Sequence, residues 1–499
     1  PGSSMENSRS SKACTSCRDR KRKCNGELPC SYCTRTNHEC FYQQRRRAKP
    51  PSRNRLAEDP SDKDGHAPSS VDRQTQLQLL EANSPAVFVQ RLAARGESET
   101  SHPALPLHPH AYNLGFDPEL EFLPNVVGLT DLLTLGKMTS LASTYFVQIT
   151  PVYDFLDRAE VEEAIVERWN VPVSCSAVDS LLLGIAALGC LFDNDRQTKG
   201  SELERQLVYS ARVTLEYSSQ LPQPHVDHVV GWLLRVIYLR FNSTPHATWM
   251  ASCTLMHMIE TSKMHFDTDT NSYLAQQTTA EGCSSERRRK VYHVARLFNT
   301  WVSLDFGKSQ VDLRGASVQL PHTGWTIEQR ELYLVSMLLT SPEHYHDLSE
   351  LEGALRDVCA MYPPHPMLQL LQCNITLCIF RRASALGRSL SAWALDTILE
   401  LMGTSIGVVE SLVAQSSPWW HVLNIPFQIA CTLMVIDRPQ ALNILEDALK
   451  ILRMVASHYQ TQMAREAYEV ALSLVQQQRD RRAMGLSVLD KVLQVHAHR

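Results

Sequence analysis

From about Leu129 onward, apolar residues recur every three and four positions, with few strand-like alternations. The segments "MTSLASTYFVQI", "AVDSLLLGIAALGCLF", "HVVGWLLRVIYLRF" and "ALNILEDALKILRMVASHY" carry that period most clearly. The pattern predicts a large all-helical region. Upstream, Asn83 or Ser84 stands where a cap belongs before "PAVFVQRLAARG", with proline early and Gly96 at the close, which predicts one more helix. "ESETSHPALPLHPH" then interrupts the period. Residues 83–330 and their continuation over 331–499 therefore read as one helical body with an irregular start, and the proline signals at Pro321 or Ser341-Pro342 suggest a break into two lobes. No repeat at about 30–45 residues supports a regular solenoid.

The first part of the chain has no such period. Residues 43–82 read as a linker: "QQRRRAKPPSRNR" is basic and proline-bearing, and "EDPSDKDGHAPSS" is too polar to build a core. Within it, "VDRQTQLQLLEA" (Val71–Ala82) is a short helix candidate of less than two heptads, too short for a stable coiled coil. The opening "PGSS" before Met5 reads as a cloning remnant, and residues 1–12 as a disordered lead-in. Residues 13–42 are different again: polar, and holding six of the chain's 14 cysteines.

Composition adds a division of charge. The net charge of −4 conceals 14 Lys/Arg against four Asp/Glu in residues 1–57, and 35 against 49 in the remainder, or +10 and −14. A basic head on an acidic body points to a polyanion-binding module joined to a separate domain. The polar residues after Met5 do not resemble a signal peptide. The longest uninterrupted apolar run, Ser180–Phe192, has 13 residues, too few to span a bilayer. The expectation is a soluble intracellular protein, with no membrane partner, in a reducing setting where clustered thiols bind metal rather than form disulfides.

The cysteines are spaced Cys14-x2-Cys17-x6-Cys24, then Cys30-x2-Cys33-x6-Cys40, two halves with identical spacing. Zinc takes four tetrahedral ligands, and thiolates suit it. One zinc leaves two cysteines over; two independent zincs need eight ligands. The count closes if two thiolates bridge two metals. Such a site has no open position for water, so it is structural, and His38 is left as a plain loop residue. The halves differ in charge: Arg18, Arg20, Lys21, Arg22 and Lys23 lie between Cys17 and Cys24, whereas "TRTNHE" has only Arg35. The first half is the one expected to face the polyanion.

This stretch resembles the fungal binuclear zinc cluster DNA-binding domain, in "ACTSC", "CRDRKRKC", the "NG" after Cys24 and the proline of "ELPC". The resemblance implies two Zn2+ ions held by Cys14, Cys17, Cys24, Cys30, Cys33 and Cys40, with Cys14 and Cys30 bridging. It also implies a loop shaped by Pro29, in the cis form. Double-stranded DNA is the implied partner, read as CGG-type triplets in the major groove. Lys21 would read bases, with Arg20 beside it. Arg18, Arg22, Lys23, Arg45, Arg46, Arg47 and Lys49 would mainly contact phosphates, which position a protein without reading sequence. The basic run would also serve nuclear import.

The body resembles the middle homology region of the same transcription factors over roughly residues 84–330. "TYFVQITPVYDFLD" looks like its opening segment, and "ATWMASCTLMHMIETSKMH" and "ERRRKVYHVARLFNTWVSLDFGKS" look like two of its helices. The usual Asp-Arg pair appears here as Asn299-Thr300, and the usual Gly-Arg-Pro as Gly307-Lys308-Ser309. The implied function is a nuclear, sequence-specific transcription factor of RNA polymerase II genes, an activator and pathway-specific regulator. Its implied partners are the transcription machinery or a corepressor, a second copy through the helical body, and a small-molecule effector. The rival reading is a ligand-sensing or corepressor-recruiting repressor with the same head. A third reading, a helical enzyme tethered to DNA, finds no GxxxxGK[ST] and no His-Glu-x-x-His. His225 with His228, and "EHYHD" at Glu343–Asp347, have metal-like spacing but too few ligands. The remaining eight cysteines are expected in the core, and Trp419 and Trp420 at a packed helix start or along a pocket.

Overall fold

The computed structural model describes residues 14–19, 22–25, 27–36, 40, 85–94, 113–114, 127–171, 176–193, 201–219, 221, 224–267, 283–313, 315–340 and 347–497. Among the described residues every regular element is helical. They fall into two compact units, one within residues 1–67 and one within 68–499.

The first unit holds two short helices, α1 (Thr15–Asp19) and α2 (Ser31–Thr36). Each starts immediately after a cysteine, so Cys14/Cys17 and Cys30/Cys33 each occupy one turn. Asn25 prepares the second: its Oδ1 accepts from the Ser31 N–H at 3.1 Å, meeting a donor that a helix start leaves open. The Leu28-Pro29 peptide is cis.

The second unit is built from α3 (Pro85–Ala94), α4 (Leu129–Leu132), α5 (Leu135–Gln148), α6 (Arg158–Asn170), α7 (Ala177–Phe192), α8 (Glu202–Ser218), α9 (Val226–Asn242), α10 (Pro245–Thr261) and α11 (Ser285–Asp305). It continues through α12 (Ile327–Thr340), α13 (Leu348–Cys359), α14 (Pro366–Ala385), α15 (Ala392–Ala414), α16 (His421–Ile436), α17 (Pro439–Tyr459) and α18 (Gln462–Ala497). Local chemistry sets many of the starts. Thr134, Asp157, Ser201, Thr244, Ser284, Asp347 and Ser391 each accept a backbone N–H of the turn they cap.

Two helices that are apolar on nearly every side form the centres of packing, as expected of helices buried all round. One is α7, covered by α5, α8 and α9; the other is α16, covered by α14, α15, α17 and α18. Helix α3 lies against both α11 and α16. Trp419 and Trp420 join the halves. Trp419 meets Phe192 of α7 and Phe241 of α9 at ring-centroid distances of 5.5 and 5.1 Å, and Trp420 meets Phe241 at 4.9 Å and Phe298 of α11 at 6.2 Å. One continuous apolar core therefore runs from Leu92 to Leu474. The break into lobes suggested by Pro321 and Ser341-Pro342 is not what this core shows, because these aromatic contacts tie α16 to α7, α9 and α11.

The longest apolar element is not α7. Helix α15 has 23 residues and is long and apolar enough, by length and composition, to cross a membrane. It packs here against α13, α14, α16 and α17, with Ile398, Met402, Ile406, Val409 and Leu412 buried.

Candidate metal centre and nucleic-acid interface

Six thiols converge in the first unit. Cys14, Cys17, Cys30 and Cys33 are fully buried, and Cys24 and Cys40 half-buried. The sulfurs form two groups of four in which every Sγ lies within 4.8 Å of the others: Cys14, Cys17, Cys24 and Cys30, and Cys14, Cys30, Cys33 and Cys40. Cys14 and Cys30 belong to both. Their Sγ atoms are 3.8 Å apart, Cys14 to Cys33 is 3.7 Å, and Cys17 to Cys30 is 3.5 Å. A disulfide would need about 2.05 Å. A tetrahedron of thiolates at about 2.3 Å from a central zinc has edges of about 3.8 Å. The sulfur cage thus has the dimensions for metal, and two shared corners let six ligands serve two ions.

The backbone repeats the two-fold logic of the spacing. The Cys17 N–H donates to Cys14 Sγ and the Cys33 N–H to Cys30 Sγ, both at 3.4 Å. The Cys14 N–H donates to Cys24 Sγ at 3.5 Å, and the Cys30 N–H to Cys40 Sγ at 3.1 Å. Hydrogen bonds to sulfur favour the thiolate. The Cys33 N–H is the largest influence holding the Cys30 thiol down at about 6, while burial pushes Cys33 up to about 12 and raises Cys17 as well.

Helix α1 leads from Cys14 through Cys17 to Arg18 and Asp19, so the basic run starts on a turn fixed by two cage sulfurs. Arg22 and Lys23 are exposed just before Cys24. Arg20, Lys21, Arg45, Arg46, Arg47, Lys49 and His38 lie outside the described residues, as do Val71–Ala82 and Glu343–His346.

In the body, the unusual Asn299 and Thr300 are buried and bonded. Asn299 Nδ2 donates to Ser252 Oγ at 3.1 Å, and its Oδ1 accepts from the Val311 N–H at 2.8 Å; the Thr300 hydroxyl donates to Gln310 Oε1 at 3.2 Å. The pair pins the segment after α11 to α10. A charged pair does occur nearby, formed across the fold: Arg240 and Asp305, both buried, meet at 2.5 Å, with the guanidinium 5.0 Å from the centroid of the Trp420 ring. Nothing in the sequence marked it, since its partners are 65 residues apart. Arg240 and Asp305 line, with Tyr153, Phe298, Trp301, Asn374, Trp420 and His421 among others, a small cavity of about 30 Å³, room for a water or two. Buried polar atoms of two lining residues, Trp301 Nε1 and His421 Nδ1, have no hydrogen-bond partner. Trp420 thus both packs at a helix start and lines a pocket.

His225 caps α9, its Nδ1 accepting from the Asp227 N–H at 3.2 Å, and Asp347 caps α13. Cys190, Cys373, Cys378 and Cys431 are core residues, while Cys253, Cys283 and Cys359 are only half-buried.

Residues 12–49 match the fungal Zn(2)-Cys(6) binuclear cluster domain, and residues 142–331 the fungal specific transcription factor domain. The chain is similar to "Transcription factor kojR" of Aspergillus oryzae, 35% identical over 490 residues that span 97% of this chain and 86% of that protein. It is 35% identical over 499 residues to "Protein RDR1" of Gibberella zeae, spanning 97% and 89%. To "Protein RDR1" of Saccharomyces cerevisiae it is 26% identical over 506 residues, spanning 96% and 91%. The Zn(2)-Cys(6) domain binds two zinc ions and DNA. With a matching head, a matching middle region and relatives similar over nearly the whole length, the chain belongs to the fungal Zn(2)-Cys(6) binuclear cluster transcription factors, a family of gene regulators and not of enzymes.

Proposed function

We propose that this protein is a nuclear, pathway-specific regulator of RNA polymerase II genes that reads CGG-type triplets in the major groove. The observation that carries the reading is the pair of four-sulfur groups sharing Cys14 and Cys30. Cys14 and Cys30 bridge two zincs, and Cys17, Cys24, Cys33 and Cys40 complete the two coordination shells. The filled cage leaves no site for substrate; its role is to hold α1 and the basic run rigid, so that little ordering entropy is lost on binding DNA. Lys21, with Arg20, reaches the guanine O6 and N7 acceptors. Arg18, Arg22, Lys23, Arg45, Arg46, Arg47 and Lys49 neutralise phosphates and fix the register. Residues 83–330 with 331–499 form the regulatory body. The body answers to a small-molecule effector, and its surface recruits transcription machinery or a corepressor.

Selection of bound sites from random duplex DNA tests the reading. The full chain is expected to enrich CGG-type triplets. Lys21→Ala is expected to lose about 1–3 kcal/mol of discrimination at one triplet, whereas Arg46→Ala weakens all sequences alike. Enrichment of an unrelated motif, or no enrichment, would refute it. Fusion of the body to a neutral DNA-binding domain in a reporter assay separates activation from repression.

A further inference from the structure

Helix α18 is 36 residues long, but only its first part belongs to the core. Ala464, Ala467, Val470, Ala471 and Leu474 are buried, where the helix packs on α16 and α17. Gln478 then anchors it, its Nε2 donating to Met434 O and Asp437 Oδ1, both at 3.0 Å, and Arg482 pairs with Asp437. From Arg482 to His496 every residue is exposed.

That free stretch is not polar. Met484, Leu486, Val488, Leu489, Val492, Leu493 and Val495 are each between 51% and 73% exposed. At about 100° per residue these seven fall within an arc of about 200°, and Ser487, Asp490, Lys491 and Gln494 fill the rest. Together they present roughly 700 Å² of apolar surface, more than the few hundred Å² found in the largest patch of an ordinary monomer. A short helix has little stability of its own in water, so such a face calls for cover.

Two observations select the occupant. Covering this face on two copies would remove roughly 1,400 Å² from water, within the range of stable specific interfaces. The stretch from Ala483 to Val495 carries one Asp and one Lys, so two identical faces do not repel. We infer that residues 483–496 of α18 are the subunit-joining surface, packing on the same segment of a second copy of this chain across a two-fold axis. The inference rests on the reading of the head as a DNA-binding module: two joined heads engage two triplets, and the second contact becomes intramolecular.

Sedimentation velocity on the full zinc-loaded chain tests it. The wild type is expected to pass from monomer to dimer as concentration rises through the micromolar range. Leu489→Asp with Leu493→Asp is expected to weaken that dimer at least about tenfold. Both side chains are exposed, so circular dichroism should not change, nor should the tryptophan-detected unfolding midpoint measured below the concentration at which the wild type dimerises. On DNA, the variant is expected to match the wild type on a single-triplet duplex and to lose its advantage on a two-triplet duplex. A wild type that stays monomeric, because another protein or another part of this chain covers the face, overturns the inference. So does a dimer untouched by the double substitution, or a variant that unfolds, since the body would then be holding these residues. Failure of both proteins on the single triplet would refute the DNA reading and leave the sedimentation result standing.

Discussion

Cys14 and Cys30 are each counted in both sulfur groups, whereas Cys24 and Cys40 are counted in one. Metal analysis should expose the difference: about two zinc equivalents for the wild type, fewer than one after Cys30→Ala, and about one after Cys24→Ala. Equal losses from both substitutions would contradict the sharing. A second residue-scale effect concerns His421, which is buried, stacked on Trp420 at a centroid distance of 4.5 Å, and without a partner at Nδ1. Burial first, and the Arg240 charge second, push it down to about 3; burial likewise takes His293 down to about 4. An unfolded histidine takes its proton near pH 6.5. The unfolded chain therefore binds more protons between these values, and stability present above about pH 6.5 is lost as pH falls, by about 1.4 kcal/mol per pH unit for each histidine. All eight tryptophans lie at or after Trp169, so their fluorescence reports the body alone. The urea midpoint should hold steady above pH 7 and fall between pH 6.5 and 4.5, and His421→Phe should flatten part of that fall. The convergence of the six cysteines was legible because like donors repeat at like spacing. Asn25, Asn299 and the Arg240–Asp305 pair were not, since each acts through a partner that the fold brings to it.

Helix α7 shows how an element read correctly as a helix still hides its packing. A Cβ on Gly189 would stand 2.5 Å from the Leu141 carbonyl oxygen of α5, and one on Gly184 2.8 Å from Leu234 Cβ of α9. These glycines let three helices approach closely at the centre of the core. Alanine normally improves a helix interior by about 1 kcal/mol over glycine. At Gly189 the backbone oxygen cannot step aside, so Gly189→Ala is expected to destabilise the body by about 1–3 kcal/mol. Gly407 of α15 is exposed, with nothing within 4 Å of the added carbon. There Gly407→Ala should stabilise by up to about 1 kcal/mol. Thermal unfolding of the two variants, measured side by side, checks the contrast. The sequence pattern assigns both glycines to helices; only the crossing of neighbouring helices separates their roles.

At the scale of the whole molecule, the charge division predicts a binding curve. If about six of the basic residues around the cage and in "RRRAK" contact phosphates, the log–log salt slope should be about −5 per head on duplex DNA. A slope near zero would remove the basic run from the phosphates. Residues 5–82 alone are expected to sediment as a monomer at micromolar concentration and to bind one triplet weakly, because Val71–Ala82 is too short to zip. A stable dimer of that fragment would move the joining role from α18 to the linker.

The sequence by itself determined the cysteine cage and the helical class. Zinc chemistry acts over short loops between identical donors, so spacing alone nearly specifies it, and an apolar period of three to four residues reports a helix wherever it occurs. Tertiary structure decided the rest. It joined α7, α9, α11 and α16 through Trp419 and Trp420 into one core, where proline signals had suggested two lobes. It also buried the apolar face of α15 and left that of residues 483–496 uncovered. An apolar stripe reads the same along the chain in either case. Whether it is covered depends on which helices cross it, and that follows from side-chain shape and position in three dimensions.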